Sequence, residues 1–201
     1  MLTTVLQAGG MSTRMGVDKG LMPFLGMPLI ERLLNNFGYL PGEILIISNN
    51  LPGYEYLDLP IYQDVLPGRG ALGGLLTALT IAKTAFVGLI AADMPFASAG
   101  LLSHLLTEIK KSNADAVLPS THSGPEPFHA VYRRDTCLPL VKGAIEQDLW
   151  RMTAWHDQAR IKILNPRETS AAGGADYTFI NLNTPEEFTA AEELARKHRL
   201  L

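Results

Sequence analysis

Val5-Leu6-Gln7-Ala8-Gly9-Gly10-Met11-Ser12-Thr13-Arg14-Met15-Gly16-Val17-Asp18-Lys19-Gly20 is an apolar run that breaks into a glycine-rich loop carrying two cations. Thr3 to Gln7 is β-branched and apolar and predicts a buried first strand. The glycines at 9, 10, 16 and 20 let the backbone come close to a ligand and take up positive φ without steric cost. Successive backbone N–H groups in such a turn form a concave nest suited to an anion. An ordinary glycine turn with two solvated charges has the same ingredients. Arg14, Asp18 and Lys19 packed into one loop after an N-terminal strand favour a phosphate guest instead.

Working outward, strands and helices alternate. Pro28 opens a helix in which Leu29, Ile30, Leu33, Leu34 and Phe37 recur at helical spacing. Ile44 to Ile47 is a continuous apolar run, typical of a strand covered on both faces, and ends in Ser48-Asn49-Asn50. Leu59 to Gln63 predicts a further strand that closes at Asp64. A second glycine cluster, Pro67-Gly68-Arg69-Gly70-Ala71-Leu72-Gly73-Gly74, enters a helix and aims its free N–H groups at the space before it. Ala85 to Ala92 is the most apolar strand candidate and stops at Asp93-Met94-Pro95.

Further on, Leu101 to Ile109 predicts a helix, Ala114 to Leu118 a strand, Ser120 to Pro127 a polar loop, and Phe128 to Tyr132 an edge strand. Asp135 is placed to cap the next helix. Leu149, Met152, Thr153 and His156 suggest another helix, and Ile161 to Leu164 a strand. Glu168 to Gly174 reads as a loose, mobile segment, and Tyr177 to Ile180 as a strand. Thr184, Pro185 and Glu187 form a strong helix start, with the helix running to about His198. This order predicts one α/β domain over residues 1–201, a three-layer, Rossmann-like sandwich around a mainly parallel sheet. The polar tips after the strands (the first loop, Asn49, Asp64, Asp93, Asn181 and Asn183) then gather on one edge, the usual binding edge.

The 201 residues suffice for a real core, and 47% hydrophobic with 18% charged residues reads as globular. A net charge of −3 argues against a nucleic-acid partner. No apolar stretch approaches the roughly 20 residues of a membrane span. The N-terminus lacks a charged signal-peptide region, and Cys137 is the only cysteine. The expectation is a soluble, cytoplasmic protein with no membrane partner.

A glycine loop, two cations and a strand-end carboxylate suggest a nucleoside triphosphate with a divalent metal, magnesium or manganese. Asp93 is the metal-ligand candidate, with a turn or helix-cap role as the alternative. Asp18 serves equally well as a charge balance that orients Arg14 and Lys19. Lys19 would be a point charge on phosphate, whereas Arg14 can grip two oxygens. The first loop is not a Walker A sequence, because no Gly-Lys-Ser/Thr follows at the required spacing, nor the Gly-x-Gly-x-x-Gly of a dinucleotide fold, since Gly9 and Gly10 are adjacent. His122, His129, His156 and Cys137 read as surface or packing residues.

Leu6 to Lys19 resembles the Leu-Ala-Gly-Gly-x-Ser-x-Arg-Met-Gly-x-Asp-Lys motif of the molybdenum cofactor guanylyltransferases, the MobA family of nucleotidyltransferases. The resemblance continues through Gly70 to Gly74, Ala92 to Phe96, Glu126-Pro127 and Phe179 to Glu187, so it spans nearly the whole chain. It implies that Leu6, Gln7, Ala8, Gly9 and Gly10 line the nucleotide, with Gly73 from the second turn. Arg14 and Lys19 would meet its phosphates, Asn49 and Asp64 would hold the guanosine, and Asp93 would bind magnesium. Asn181 and Asn183 would lie on the pterin side. The implied reaction joins GMP from GTP to the terminal phosphate of molybdopterin and releases pyrophosphate. Molybdoenzymes or cofactor-delivery proteins would receive the product. Gln7 stands where the family has leucine, and Ala71 and Gly73 replace its Pro and Ala. A cytidylyltransferase, a sugar-phosphate nucleotidylyltransferase and a non-catalytic binding module are the alternatives. Ala8-Gly9-Gly10 favours the guanylyl reading over the cytidylyl Ala-Ala-Gly opening.

Overall fold

Leu2, Val5 and Leu6 are buried on both faces of the first strand, and the rest of the sheet grows from it. The structure is a computed structural model that describes residues 1–8 and 18–200. β1 (Leu2–Gln7) is followed by a 3-10 turn at Lys19–Leu21, a hairpin of β2 (Pro23–Phe24) and β3 (Met27–Pro28), α1 (Leu29–Phe37) and β4 (Gly42–Ile47). Next come the short α2 (Leu51–Tyr54), β5 (Ile61–Tyr62), α3 (Gly70–Ile81), β6 (Phe86–Ala91) and α4 (Ala99–Lys111). The remainder supplies β7 (Ala116–Leu118), a hairpin of β8 (Ser120–Thr121) and β9 (Gly124–Pro125), β10 (His129–Arg133) and α5 (Arg134–Glu146). It ends with β11 (Ile161–Ile163), α6 (Pro166–Ala171) and α7 (Pro185–His198).

Seven strands form one sheet in the order β11-β7-β10-β6-β1-β4-β5. Every neighbouring pair is parallel except those made by β10, which runs antiparallel to both β6 and β7. Leu33 and Phe37 of α1 and Leu102 and Leu105 of α4 build the core on one face. Leu75 and Leu79 of α3 and Val141 of α5 build it on the other. The α/β three-layer sandwich expected from the alternation is therefore the observed architecture. At Gly42 the chain enters β4 with φ +140°, and a Cβ there would sit 2.0 Å from the Leu2 carbonyl oxygen. Only glycine lets β4 pair with β1 at this point.

Several local expectations are corrected. Phe128–Tyr132 is not an edge strand: it becomes β10, between β6 and β7, with His129 to Tyr132 fully buried. It pairs on both sides, His129–Arg133 with β6 and Val131–Tyr132 with β7. Glu168–Gly174 is not loose, because Asn165 and Glu168 make a reciprocal capping box that starts α6. Thr169 Oγ1 then accepts the Ser120 backbone N–H at 3.1 Å and ties this helix to β8. Tyr177–Ile180 is not a strand: Asp176–Phe179 forms a 3-10 turn, and the segment pairs with none of the seven strands of the sheet. Residues 149–156 form turns around fully buried Trp155, followed by a 3-10 turn at His156–Gln158. Arg133, not Asp135, holds the cap position of α5. Pro28 stands just before α1, Leu59–Gln63 narrows to β5, and the 120–127 loop contains the β8–β9 hairpin.

Candidate active site

The parallel register places the carboxyl ends of β4, β1 and β6 side by side, with Gln7 opposite Ile47 and Ala91. The chain stays pinned just beyond these ends. Ala8 N–H donates to Ile47 O at 2.8 Å, Ala92 N–H to Gln7 O at 2.9 Å, and Ser48 N–H to Tyr62 O at 2.9 Å. Ala8, Asn49 and Asp93 consequently leave the sheet at one edge.

Asp18 positions Lys19. Its Oδ1 accepts the Gly20 N–H at 3.1 Å, capping the 3-10 turn, and the Tyr54 hydroxyl at 2.5 Å. Asn50 Nδ2 donates to its other oxygen at 3.4 Å. Burial, and then the Asp18 carboxylate, push the Tyr54 phenol far above its ordinary pKa, so it remains a donor. Asp18 is thus a turn-holding residue. The anchor Tyr54 was missed in the sequence, where nothing links it to a loop 36 residues away.

From this turn Lys19 Nζ reaches Asp93 Oδ2 at 3.1 Å and Asn183 Oδ1 at 2.6 Å. The Lys19 and Asp93 side chains are only 16% and 22% exposed, so their attraction is less screened than on an open surface. Asp93 is placed by the end of β6, and its carbonyl accepts the Leu182 N–H at 2.9 Å. Asn183 is placed by the start of α7. Glu187 accepts its backbone N–H at 2.5 Å and that of Thr184 at 3.1 Å, while Thr184 Oγ1 accepts the Glu187 N–H. Asn183 Nδ2 reaches back to Asn181 O at 3.5 Å. The Asn181 side chain donates to Phe179 O at 3.3 Å, away from Lys19.

A second group lies across the β4–β5 end. Asn49 and Asp64 bond reciprocally, through Nδ2 to Oδ2 at 3.0 Å and the Asp64 N–H to Oδ1 at 3.2 Å. Thr77 on α3 joins them, contacting Asp64 Oδ1 at 3.4 Å and donating to Gly73 O at 2.9 Å. Thr77 was also missed, although one buried hydroxyl among the apolar residues of α3 is a usable signal. Gly74 allows α3 to close on β1, because a Cβ there would fall 1.9 Å from Gln7 Nε2. No partner is found for buried Gln7 Oε1 among the described residues.

Of the residues expected at the site, Lys19, Asp93 and Asn183 touch directly, and Asn49, Asp64 and Gly73 form the second group. Ala8 and Gln7 lie on the strand end between them. Leu6 is fully buried in the core. Gly9, Gly10 and Arg14 lie outside the described residues.

Among the described residues no three acidic, His or Cys side chains cluster as a metal cage. A cation at this edge would rest on Asp93 and on substrate oxygens, the sparse mode magnesium favours. The buried residues singled out earlier are packing groups. His129 Nε2 accepts the Ser98 N–H, and burial pushes the Cys137 thiol up to about 12. No helix among the described residues is long and apolar enough to cross a membrane.

Comparison with known proteins agrees with this geometry. The chain is 30% identical over 187 residues to a probable molybdenum cofactor guanylyltransferase of Carboxydothermus hydrogenoformans, covering 93% of each chain. It is 26% identical over 200 residues to the molybdenum cofactor guanylyltransferase of Desulfosudis oleivorans, covering 99% of this chain and 98% of the relative. The crystal structure of molybdopterin-guanine dinucleotide biosynthesis protein A from Archaeoglobus fulgidus superposes with a TM-score of 0.82 at 26% identity, over 98% of this chain and 100% of that one. A 4-diphosphocytidyl-2C-methyl-D-erythritol synthase from Anaerococcus prevotii shares the fold at 13% identity, with a TM-score of 0.72 over 98% of this chain and 96% of that one. The model of the MobA-like NTP transferase domain matches residues 4–160, and the chain belongs to that family.

Proposed function

We propose that this protein transfers GMP from GTP to the terminal phosphate of molybdopterin and releases pyrophosphate. The observation that carries the reading is the contact of Lys19 with both Asp93 and Asn183, which joins the nucleotide-side loop to the opposite half of the sheet edge. The relatives named above share that reaction class along the full chain.

An oxygen of the acceptor phosphate forms a bond to the α-phosphorus, and the bond from that phosphorus to the β-phosphate oxygen breaks. A phosphate monoester is already anionic at neutral pH, so no strong protein base is needed. The protein must instead hold two mutually repelling anions in line and meet the charge that develops on the leaving group. Lys19 supplies a fixed cation at the triphosphate. Asn49 and Asp64, held rigid by each other and by Thr77, face the nucleoside. Asn183 and Asn181 begin the acceptor side. Magnesium, when bound at Asp93, supplies charge neutralisation at the phosphates.

Incubation with GTP, magnesium and molybdopterin, followed by mass analysis of the pterin, tests the reading. The expected product is the guanine dinucleotide, with CTP in place of GTP giving little. A cytosine dinucleotide as the main product would replace the guanylyl assignment, and no transfer from any nucleotide would overturn the enzyme.

A further inference from the structure

A cavity of about 340 Å³ lies beyond Asn181, between the β8–β9 hairpin and the 3-10 turn that precedes Ile180. Its walls include Thr121, His122, Glu126, Asp176, Phe179 and Ile180. Both sides of it are attached to the strand end that carries Asp93. On one side Phe128 O accepts the Ala91 N–H at 3.1 Å, two residues after Glu126. On the other, Leu182 N–H donates to Asp93 O, two residues after Ile180. The segments that flank the cavity are therefore both tied to the strand end that carries Asp93.

Glu126 is the ionisable group that stands out in this cavity. Its backbone is locked by bonds to Pro119 O at 2.9 Å and from the His129 N–H at 3.2 Å. Among the described residues, its Oε1 accepts only the Thr121 hydroxyl, at 3.3 Å, and Oε2 has no partner. Half-burial raises its pKa, and Thr121 offsets this in part. A carboxylate held this way, bare on one oxygen and walled by the Phe179 ring, suits a flat heterocycle presenting two adjacent N–H donors. The 2-amino group and ring N3–H of a pterin form such an edge.

Resting on the acceptor assignment above, we propose that Glu126 is the pterin-recognition residue, accepting the 2-amino and N3–H donors of the ring within this cavity. The acceptor phosphate then points back past Asn181 towards Asp93. Glu126 makes no contact with the reacting atoms, so its loss acts on acceptor binding and leaves the nucleotide half untouched.

Two measurements on the full chain test this. In steady-state transfer with GTP and molybdopterin, Glu126→Gln should raise KM for molybdopterin about tenfold or more, the scale of a lost hydrogen bond to a charged group. KM for GTP should stay within twofold, with an unchanged melting temperature. An unchanged KM for molybdopterin, or an equal rise in KM for GTP, overturns the assignment. Fluorescence titration with 6-hydroxymethylpterin, without nucleotide, provides the second readout. Wild-type binding lost in Glu126→Gln supports the pocket, and binding that survives the substitution, or none by the wild type, overturns it. Should the wild type bind the pterin through Glu126 yet transfer no GMP, the reaction proposed above fails while the pocket stands.

Discussion

Lys19 Nζ stands 3.1 Å from Asp93 Oδ2, although 74 residues separate them in the chain. One lies on the turn that ends the glycine loop and the other on the tip of β6. The same ammonium also holds Asn183, so three segments of the chain converge on one cation. That convergence is what the transfer chemistry needs: charge fixed in place before two anions arrive.

Replacement of Asp93 by Asn keeps the carbonyl that accepts the Leu182 N–H and removes the anionic charge. Turnover should fall by roughly 10²-fold or more, the scale of a lost preorganised electrostatic contact. The melting temperature should barely move. Pyrophosphate release at saturating substrate measures the first, and near-normal rates would refute a metal-holding role.

Lys19→Ala removes the charge proposed to meet the phosphates. GTP affinity or turnover should weaken by on the order of 1.5–3 kcal/mol, the worth of a hydrogen bond to a charged group. Calorimetric titration together with initial rates decides it; no change in either would exclude Lys19 from the site.

The α7 cap links stability to the site. Thr184→Ala leaves the Glu187 N–H without its partner and should cost about 1 kcal/mol. At this chain length that is roughly 2–4 °C in Tm. Because Glu187 also holds the Asn183 backbone, KM for the acceptor should rise more than KM for GTP. Equal changes in both would sever the proposed link.

His129 should set an acid limit to stability. It is fully buried between Phe37 and Phe179, and burial lowers its pKa from 6.5 to about 4. Above pH 6.5 the imidazole is neutral whether folded or unfolded, and its full contribution is present. As the pH falls towards 4 the unfolded chain takes up a proton that the folded chain resists, so stability drops by about 3 kcal/mol. Below that the slope from this group ends. Denaturant melts from pH 7 to 4 should show the decline, and a His129→Phe variant, even if less stable at pH 7, should lose it. Asp115, whose carboxyl is held low by Arg160, acts only below its ordinary 3.8.

Gly42→Ala places a Cβ against the Leu2 carbonyl in a left-handed conformation. A loss on the order of 1–3 kcal/mol is expected from the backbone strain alone. Chemical denaturation would measure it, and an unchanged midpoint would contradict the close approach of β1 and β4.

Alternation of apolar runs with helical spacing was enough to read the layered α/β fold, because period and burial are written locally in Val5-Leu6, Ile44–Ile47 and Ala85–Ala92. The start of α7 was equally legible, since Thr184, Pro185 and Glu187 satisfy their own backbone groups within one turn. The same local logic starts α6 at Asn165, Pro166 and Glu168, where the polar, glycine-bearing segment after it hid the signal. Strand order was not legible in this way. β10 runs antiparallel inside the sheet, between β6 and β7, and no residue within Phe128–Tyr132 encodes that partner choice. The sequence alone determined which residue types leave the strand ends, and therefore which chemistry the edge can hold. Only the tertiary structure decided which of them meet: Lys19 with Asp93 and Asn183, Asn49 with Asp64, Asp18 with Tyr54. Those contacts span 15 to 164 residues, and what closes them is the packing of helices on a sheet, which no local pattern carries.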